Sequence, residues 1–236
     1  MIKKIYNKNM GKSNLGWLES SFHFSFAEYY NPLNINFGSL RVLNDDIIHP
    51  QSGFPTHPHR DMEIVTYLVS GKLTHKDSMG NERTLERGEV QYMSAGTGVY
   101  HSEYNMEEKD DLRLLQIWIY PDAKNYQPNY GDMKFNWDDR VNNWLHMVSS
   151  TEGDAPIKIH QDMNIYSLYL EEGKTATFDV AKNRQAYLVQ IEGDSIINSV
   201  KLNERDAMEI VEENLTINAK SNSHFLVLEM RKAILD

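Results

Sequence analysis

The stretch FPTHPHRDMEIVTYLVSG, Phe54 to Gly71, decides how the rest of the chain is read. Its second half, Glu63–Val69, is dense in β-branched and aromatic residues and stops at Ser70-Gly71, a turn signal. That combination predicts a strand. Its first half places His57 and His59 one residue apart, with Glu63 shortly after. Side chains alternate across a strand with period two, so His57, His59 and Glu63 can share one face.

Outward from this stretch the texture stays β. Strands are predicted near 63–69, 73–78, 82–86, 90–95, 99–104 and 112–120. They are separated by Ser70-Gly71, Met79-Gly80-Asn81, Arg87-Gly88, Gly96-Thr97-Gly98 and the charged loop Glu107–Asp111. Turns at that spacing suggest a sandwich or barrel, and the fold class is all-β. Pro121–Asn136 is rich in Pro, Asn, Gly and Tyr and reads as a linker. A short helix is expected over Trp137–Trp144, with Asn136 as its cap. Strands then resume to Phe225–Met230.

The second half faintly repeats the first. Tyr67-Leu68-Val69 recurs as Tyr187-Leu188-Val189, and each is followed by a Gly turn, a strand and a charged turn. Two packed β-barrel domains follow, with expected bounds 1–135 and 136–236.

Composition narrows the function classes. The 236 residues carry 24 basic and 34 acidic side chains, a formal charge of −10. Phosphate neutralisation needs a basic surface, so direct nucleic-acid binding and docking on an anionic membrane are disfavoured. Cysteine is absent, which removes disulfides, thiolate metal sites and cysteine nucleophiles. No apolar run approaches the ~20 residues of a membrane helix, and no signal peptide is evident, so a soluble, cytoplasmic protein is expected.

A second constellation lies at His101-Ser102-Glu103, where His101 and Glu103 obey the same period-two arithmetic. If two such strands lie side by side, four or five ligands converge at one depth. Imidazole suits Fe, Ni, Cu and Zn, and a carboxylate adds a harder donor. Three His and one Glu leave positions open on a five- or six-coordinate ion, as catalysis requires. The Gly96-Thr97-Gly98 turn fits a bend that aims the His101 strand inward.

At these residues the chain resembles the cupin superfamily. His57-x-His59-x-x-x-Glu63 with Gly71 looks like the first cupin motif. Gly88 through Ser94-Ala95-Gly96 to His101 looks like a looser second one. The strings FPTHPHRDMEIVTYLVSG, HKDSMGN, GEVQYMSAGTGVYHSEYN, HFSFAEYYNP (His23–Pro32) and IHQDMNIY (Ile159–Tyr166) resemble the pirin family closely, from about Trp17 to the C-terminus. The resemblance implies two jelly-roll-like cupin domains and one divalent metal in the first, usually Fe(2+), with Ni, Cu, Zn, Co or Mn as alternatives. It implies His57, His59, His101 and Glu103 as ligands. Glu63 is then a candidate for orienting a ligand or water, and with Glu103 for catalytic proton handling; its alternative is a buried carboxylate bonded to backbone.

The second half lacks these groups. Thr177 and Asp179 stand where the first has histidines, Asn183 where Glu63 would fall, and His224 has no period-two partner. A second metal site is not expected there. His75 and Asp77 share a face and either approach the metal or pair with each other. His23, His49, His146 and His160 read as structural or surface residues. The aromatic run Trp17, Phe22, Phe24, Phe26, Tyr29 and Tyr30 either walls a pocket for a flat ligand or packs in the core.

The resemblance implies quercetin 2,3-dioxygenase activity, with a flavonol-like small molecule and dioxygen as substrates. The alternative is a non-catalytic, metal- or redox-responsive regulator that binds a protein partner. A cupin isomerase or sugar-binding module is a third reading.

Overall fold

A computed structural model describes residues 1–232. The strands are β1 Ile2–Ile5, β2 Gly11–Asn14, β3 Leu18–Phe22, β4 Leu40–Ile48, β5 Ser52–His59, β6 Glu63–Ser70, β7 Leu73–Asp77 and β8 Glu82–Leu85. They continue as β9 Val90–Ser94, β10 Val99–Asn105, β11 Leu112–Ile119, β12 Asn129–Met133, β13 Leu145–Ser150, β14 Ile157–Ile159 and β15 Met163–Leu170. The last are β16 Thr175–Phe178, β17 Arg184–Glu192, β18 Ser195–Ile197, β19 Val200–Leu202, β20 Ala207–Val211, β21 Leu215–Ala219 and β22 Ser223–Arg231. Among the described residues no helix is long and apolar enough to cross a membrane.

The chain divides into two compact units. The first is Met10–Phe135 with Ile159–Gln161; the second is Met1–Asn9, Asn136–Lys158 and Asp162 onward. Each has a seven-stranded and a four-stranded sheet. The first unit orders them β12-β9-β6-β11-β4-β3-β2 and β5-β10-β7-β8. The second orders them β1-β20-β17-β22-β15-β13-β14 and β16-β21-β18-β19. The two orders correspond strand for strand, with the Tyr67 strand β6 and the Tyr187 strand β17 both third from one edge.

Two glycines show why the repeat has a physical basis. Gly71 (φ 77°) and Gly193 (φ 75°) turn the chain out of β6 and β17 in the left-handed region. A Cβ at Gly71 would lie 2.5 Å from the Asp111 carbonyl oxygen, and one at Gly193 2.2 Å from that of Asn222. Each turn presses against the backbone that enters the next central strand, β11 or β22.

Three sequence expectations need correction. Pro121–Asn136 is not wholly a linker: it contains β12, which pairs antiparallel with β9. Trp137–Trp144 holds only a 3-10 turn, Trp137–Arg140, because Val141 is extended (φ −77°, ψ 116°) and Asn136 makes no side-chain cap. A single cut at 135/136 does not describe the units either, because β1 pairs with β20 and carries Met1–Asn9 into the second.

Candidate metal centre

The small sheet of the first unit builds the centre. On β10 the buried residues are Val99, His101, Glu103 and Asn105, an unbroken period-two series. On β5, His57 and His59 are half-buried while Pro58 between them is exposed. His101 pairs across with His57, then Glu103 with Phe54 rather than Thr56 or Pro55. The extra residue is a bulge, and Pro55 sits there because it has no N–H to offer the ladder. The bulge lets the Pro55 carbonyl accept from His57 Nδ1 at 2.8 Å. That contact puts the His57 proton on Nδ1 and leaves Nε2 as a lone pair.

His57, His59 and His101 converge. Their ring centroids form a triangle with sides of 4.8, 4.4 and 4.8 Å. One ligand nitrogen from each lies within 4.8 Å of the others. His57 Nε2 and His101 Nε2 are 2.9 Å apart. Two nitrogens at right angles on one ion, each ~2.1 Å from it, would be about 3 Å apart. The same separation suits an N–H···N bond between two neutral rings, but a third imidazole adds nothing to such a bond and completes one face of a metal. Burial, followed by the repulsion of His57, pushes His59 down to about 4. Burial, then His57, His59 and His75, pushes His101 down to about 2. Neutral imidazole is the form that ligates, so the donor set fits a divalent transition metal.

Glu103 groups with His101 and His75 within the same 4.8 Å limit, and shares only His101 with the His57, His59 and His101 group. Its carboxylate is 1% exposed. Gln91 Nε2 donates to one oxygen at 2.6 Å and Gln116 Nε2 to the other at 2.8 Å. Thr66 Oγ1 lies 3.4 Å from the first oxygen but donates its single proton to Gln116 Oε1 at 2.7 Å. Burial pushes Glu103 up to about 7, against the hydrogen bonds from Gln116 and Gln91.

Thr66, Gln91 and Gln116 come from three different strands of the large sheet, and no sequence motif pointed to them. A signal was present for two of them: Thr66 and Gln116 each interrupt the apolar inward series of their strand. Along the inward faces Thr66 lies between Ile64 and Leu68, and Gln116 between Leu114 and Trp118. The apolar neighbours belong to two separate clusters. The site is therefore a polar layer between two apolar ones.

Glu63 is not brought to the imidazoles. It is 1% exposed; its Oε1 accepts from Ser94 Oγ at 2.6 Å and its Oε2 from the His160 N–H at 3.3 Å. His160 Nδ1 is 3.3 Å from Oε1, and its ring stacks on Tyr126 at 3.8 Å. Glu63 sits opposite Ser94 on β9, and its contacts with His160 tie that segment into the first unit, of which it is part. Its hydrogen bonds run to Ser94 and His160 rather than to His57, His59 or His101.

A cavity of about 250 Å³ opens beside the centre. His57, His59 and Glu103 form its chemical end; Leu15, Phe22, Phe26 and Trp118 are among its apolar walls; Ser20, Asn44 and Asp46 add polar groups. It lies just below the ~300–1,000 Å³ usual for small-molecule sites. Of the aromatic run, Phe22 and Phe26 do wall the pocket, whereas Phe24 is core at 1% exposure and Tyr30 is 74% exposed.

Comparison with known proteins identifies the lineage. The Pirin family model matches residues 4–119, and the quercetinase C-terminal cupin domain matches residues 146–230. The chain belongs to the pirin family. Among its relatives is quercetin 2,3-dioxygenase of Escherichia coli K12, 41% identical over 93% of this chain and 94% of that protein. The pirin-like protein of Caulobacter vibrioides is 41% identical over 96% and 98%. The crystal structure of the Escherichia coli bacterial pirin YhhW in complex with nickel(II) superposes with a TM-score of 0.92 at 38% identity, covering 99% and 100% of the two chains. The chain is thus a two-cupin pirin with a candidate metal centre in its first cupin.

Proposed function

We propose that this pirin is a metal-dependent dioxygenase that opens the heterocycle of flavonols such as quercetin, with His57, His59, His101 and Glu103 as ligands of one divalent ion, Fe(2+) by preference. The observation that carries the reading is three convergent imidazoles beside a buried carboxylate at the end of a largely apolar cavity. The likeness to the Escherichia coli quercetin 2,3-dioxygenase supports the substrate class.

The ion would supply Lewis acidity toward the flavonol hydroxyl and an electron path to dioxygen. The protein's part is more specific. Phe22, Phe26 and Trp118 offer flat apolar surface to an aromatic ring and exclude water. Glu103, held by Gln91 and Gln116, is placed to take the hydroxyl proton.

The test is direct. Fe(2+)-loaded protein with quercetin and air should bleach the flavonol band and release carbon monoxide in equal amount, with both signals absent under nitrogen. Metal-replete protein that gives neither would end the proposal and favour the regulator reading.

A further inference from the structure

A ligand imidazole has a second nitrogen, and what that nitrogen bonds to orients the ring and sets its donor strength. For His57 it is the Pro55 carbonyl. For His101 no backbone oxygen serves: its Nδ1 is buried and makes no hydrogen bond. On the adjoining strand stands His75, fully buried, and its Nδ1 is likewise without a partner. The two rings are 5.4 Å apart at 57°. Rings joined edge to edge by a hydrogen bond of about 3 Å have centres roughly 5 Å apart.

As placed, neither nitrogen is in hydrogen-bonding geometry with any group, the other included; a buried unpartnered nitrogen is costly, and a turn of the two rings toward each other lets one donate to the other. The tautomers decide whether that can happen. His75 Nε2 faces Asp77 Oδ2 at 3.3 Å. That carboxylate already accepts from the Met79 and Asn81 backbone N–H groups and from Asn81 Nδ2, at 2.8 to 3.0 Å. A group so surrounded by donors acts as an acceptor, so the His75 proton belongs on Nε2 and Nδ1 presents a lone pair. If His101 ligates through Nε2, its proton must sit on Nδ1. Donor and acceptor then match. The His75 ring is held for the task by Tyr130, which lies flat on it at 4.4 Å and 12°.

We infer that His75 is the positioning residue for His101, accepting a hydrogen bond from His101 Nδ1–H, with Asp77 fixing the tautomer that makes this possible. The inference rests on His101 being a metal ligand. It turns the pair His75 and Asp77 into the outer half of a chain running from the ion through His101 to the loop at Met79–Asn81.

The experiment is a nickel(II) affinity series on full-length, chelator-stripped protein, read by competition with a chromophoric chelator, with the cobalt(II) absorption bands as a second readout. His75→Phe keeps a ring against Tyr130 but offers no acceptor, and should weaken nickel binding about 10- to 100-fold. His75→Asn places an amide oxygen near the Nδ1 position and should recover most of that loss. Asp77→Asn lies opposite His101 on the ladder and removes neither ring, yet frees the His75 tautomer; it should weaken binding and shift the cobalt bands in the direction His75→Phe does. Circular dichroism and melting of the stripped proteins establish which variants fold. If His75→Phe does not fold, the contrast between His75→Asn and Asp77→Asn decides: affinity kept in the first and lost in the second supports the inference. Wild-type affinity in both, or equal loss in both, overturns it, as does His75→Phe with wild-type affinity and bands. His101→Ala separates the two readings: nickel binding unchanged in that variant overturns the ligand assignment itself.

Discussion

The two units share a strand order but use the space between their sheets in opposite ways. On β10 the inward series is Val99, His101, Glu103 and Asn105; on its counterpart β21 it is Leu215, Ile217 and Ala219, all buried. The large sheets differ in parallel. By register, Thr66, Gln91 and Gln116 of the first unit correspond to Ala186, Ile210 and Glu229 of the second. Asn44, on the cavity wall, corresponds to Asn164. In the second unit this region holds an ion-pair cluster: Arg184 bonds both Glu229 and Asp162, and Asn164 Nδ2 donates to Glu229 at 2.9 Å. Phe178, Leu188, Ile197, Met208, Leu215 and Ile217 close into one apolar cluster beneath. The difference teaches that a cupin interior is either packed or chemical. Methyl groups stabilise by roughly 1.5–3 kcal/mol per large buried side chain, whereas a buried carboxylate and three clustered imidazoles cost stability unless an ion joins them.

Truncating one inward side chain in each unit separates the two uses of the interior. His101→Ala should drop metal content from roughly one ion per chain to near none, because an ion on N/O donors depends on every ligand. Elemental analysis of untagged protein checks it, and dioxygenase activity should fall with the metal. Ile217→Ala, at the same depth in the other unit, should leave metal content unchanged. It should lower unfolding stability by about 2–5 kcal/mol, since a fully buried Ile leaves a cavity in a packed core. Denaturant melts of both stripped variants test the pair. A large stability loss in His101→Ala, or a metal loss in Ile217→Ala, would show that the units do not divide the work in this way.

Glu103→Gln sharpens the comparison within the first unit. The amide keeps the shape but removes a buried charge, so nickel affinity should fall at least about tenfold. The stripped protein should melt no lower than wild type, because the carboxylate is held at a desolvation cost that its two amide donors only partly offset. A melting temperature several degrees lower would mean that the Gln91–Gln116 cradle needs the charge to hold together.

How much of this was visible in the residues follows from distance along the chain. The paired imidazoles were legible because period-two spacing is local, and the repeat because Tyr67-Leu68-Val69 and Tyr187-Leu188-Val189 fill equivalent central strands. The cradle of Glu103 was not, since Thr66, Gln91 and Gln116 meet only after β6, β9 and β11 pair. β12 escaped because an edge strand needs only one neighbour, and a run containing Asn129 and Gly131 carries little β propensity. With it went Tyr130, the ring that holds His75. Trp137–Trp144 misled because an acidic start and a candidate Asn cap are helix signals that tertiary context overrides; Asn142 takes φ 54°.

The same distance hides β1, and it supplies the smallest prediction. β1 and β12 occupy equivalent edges beside β20 and β9, but β1 is tied by a buried ion pair, whereas Asp132 of β12 pairs with the exposed Arg83. Asp206 meets Lys4 Nζ at 2.8 Å and accepts the backbone N–H groups of Asn7 at 2.9 Å and Asn203 at 3.0 Å. Burial works against its charge, yet the hydrogen bonds from Lys4, Asn7 and Asn203 outweigh it, and its carboxyl is held below the ordinary 3.8. A carboxylate with a depressed folded pKa contributes its full stabilisation above the unfolded value. That contribution fades as pH falls below about 4 and through the folded one. Amide exchange in Ile2–Ile5, corrected for intrinsic rates, should therefore speed up relative to Asn129–Met133 as pH is lowered from 6 to 3. Asp206→Asn should show the faster exchange already at pH 6, by an amount equal to about 1 kcal/mol, and should flatten its pH dependence. Equal protection of the two edge strands at every pH would mean that backbone pairing with β20, and not the Lys4–Asp206 tie, holds the first residues to the second unit.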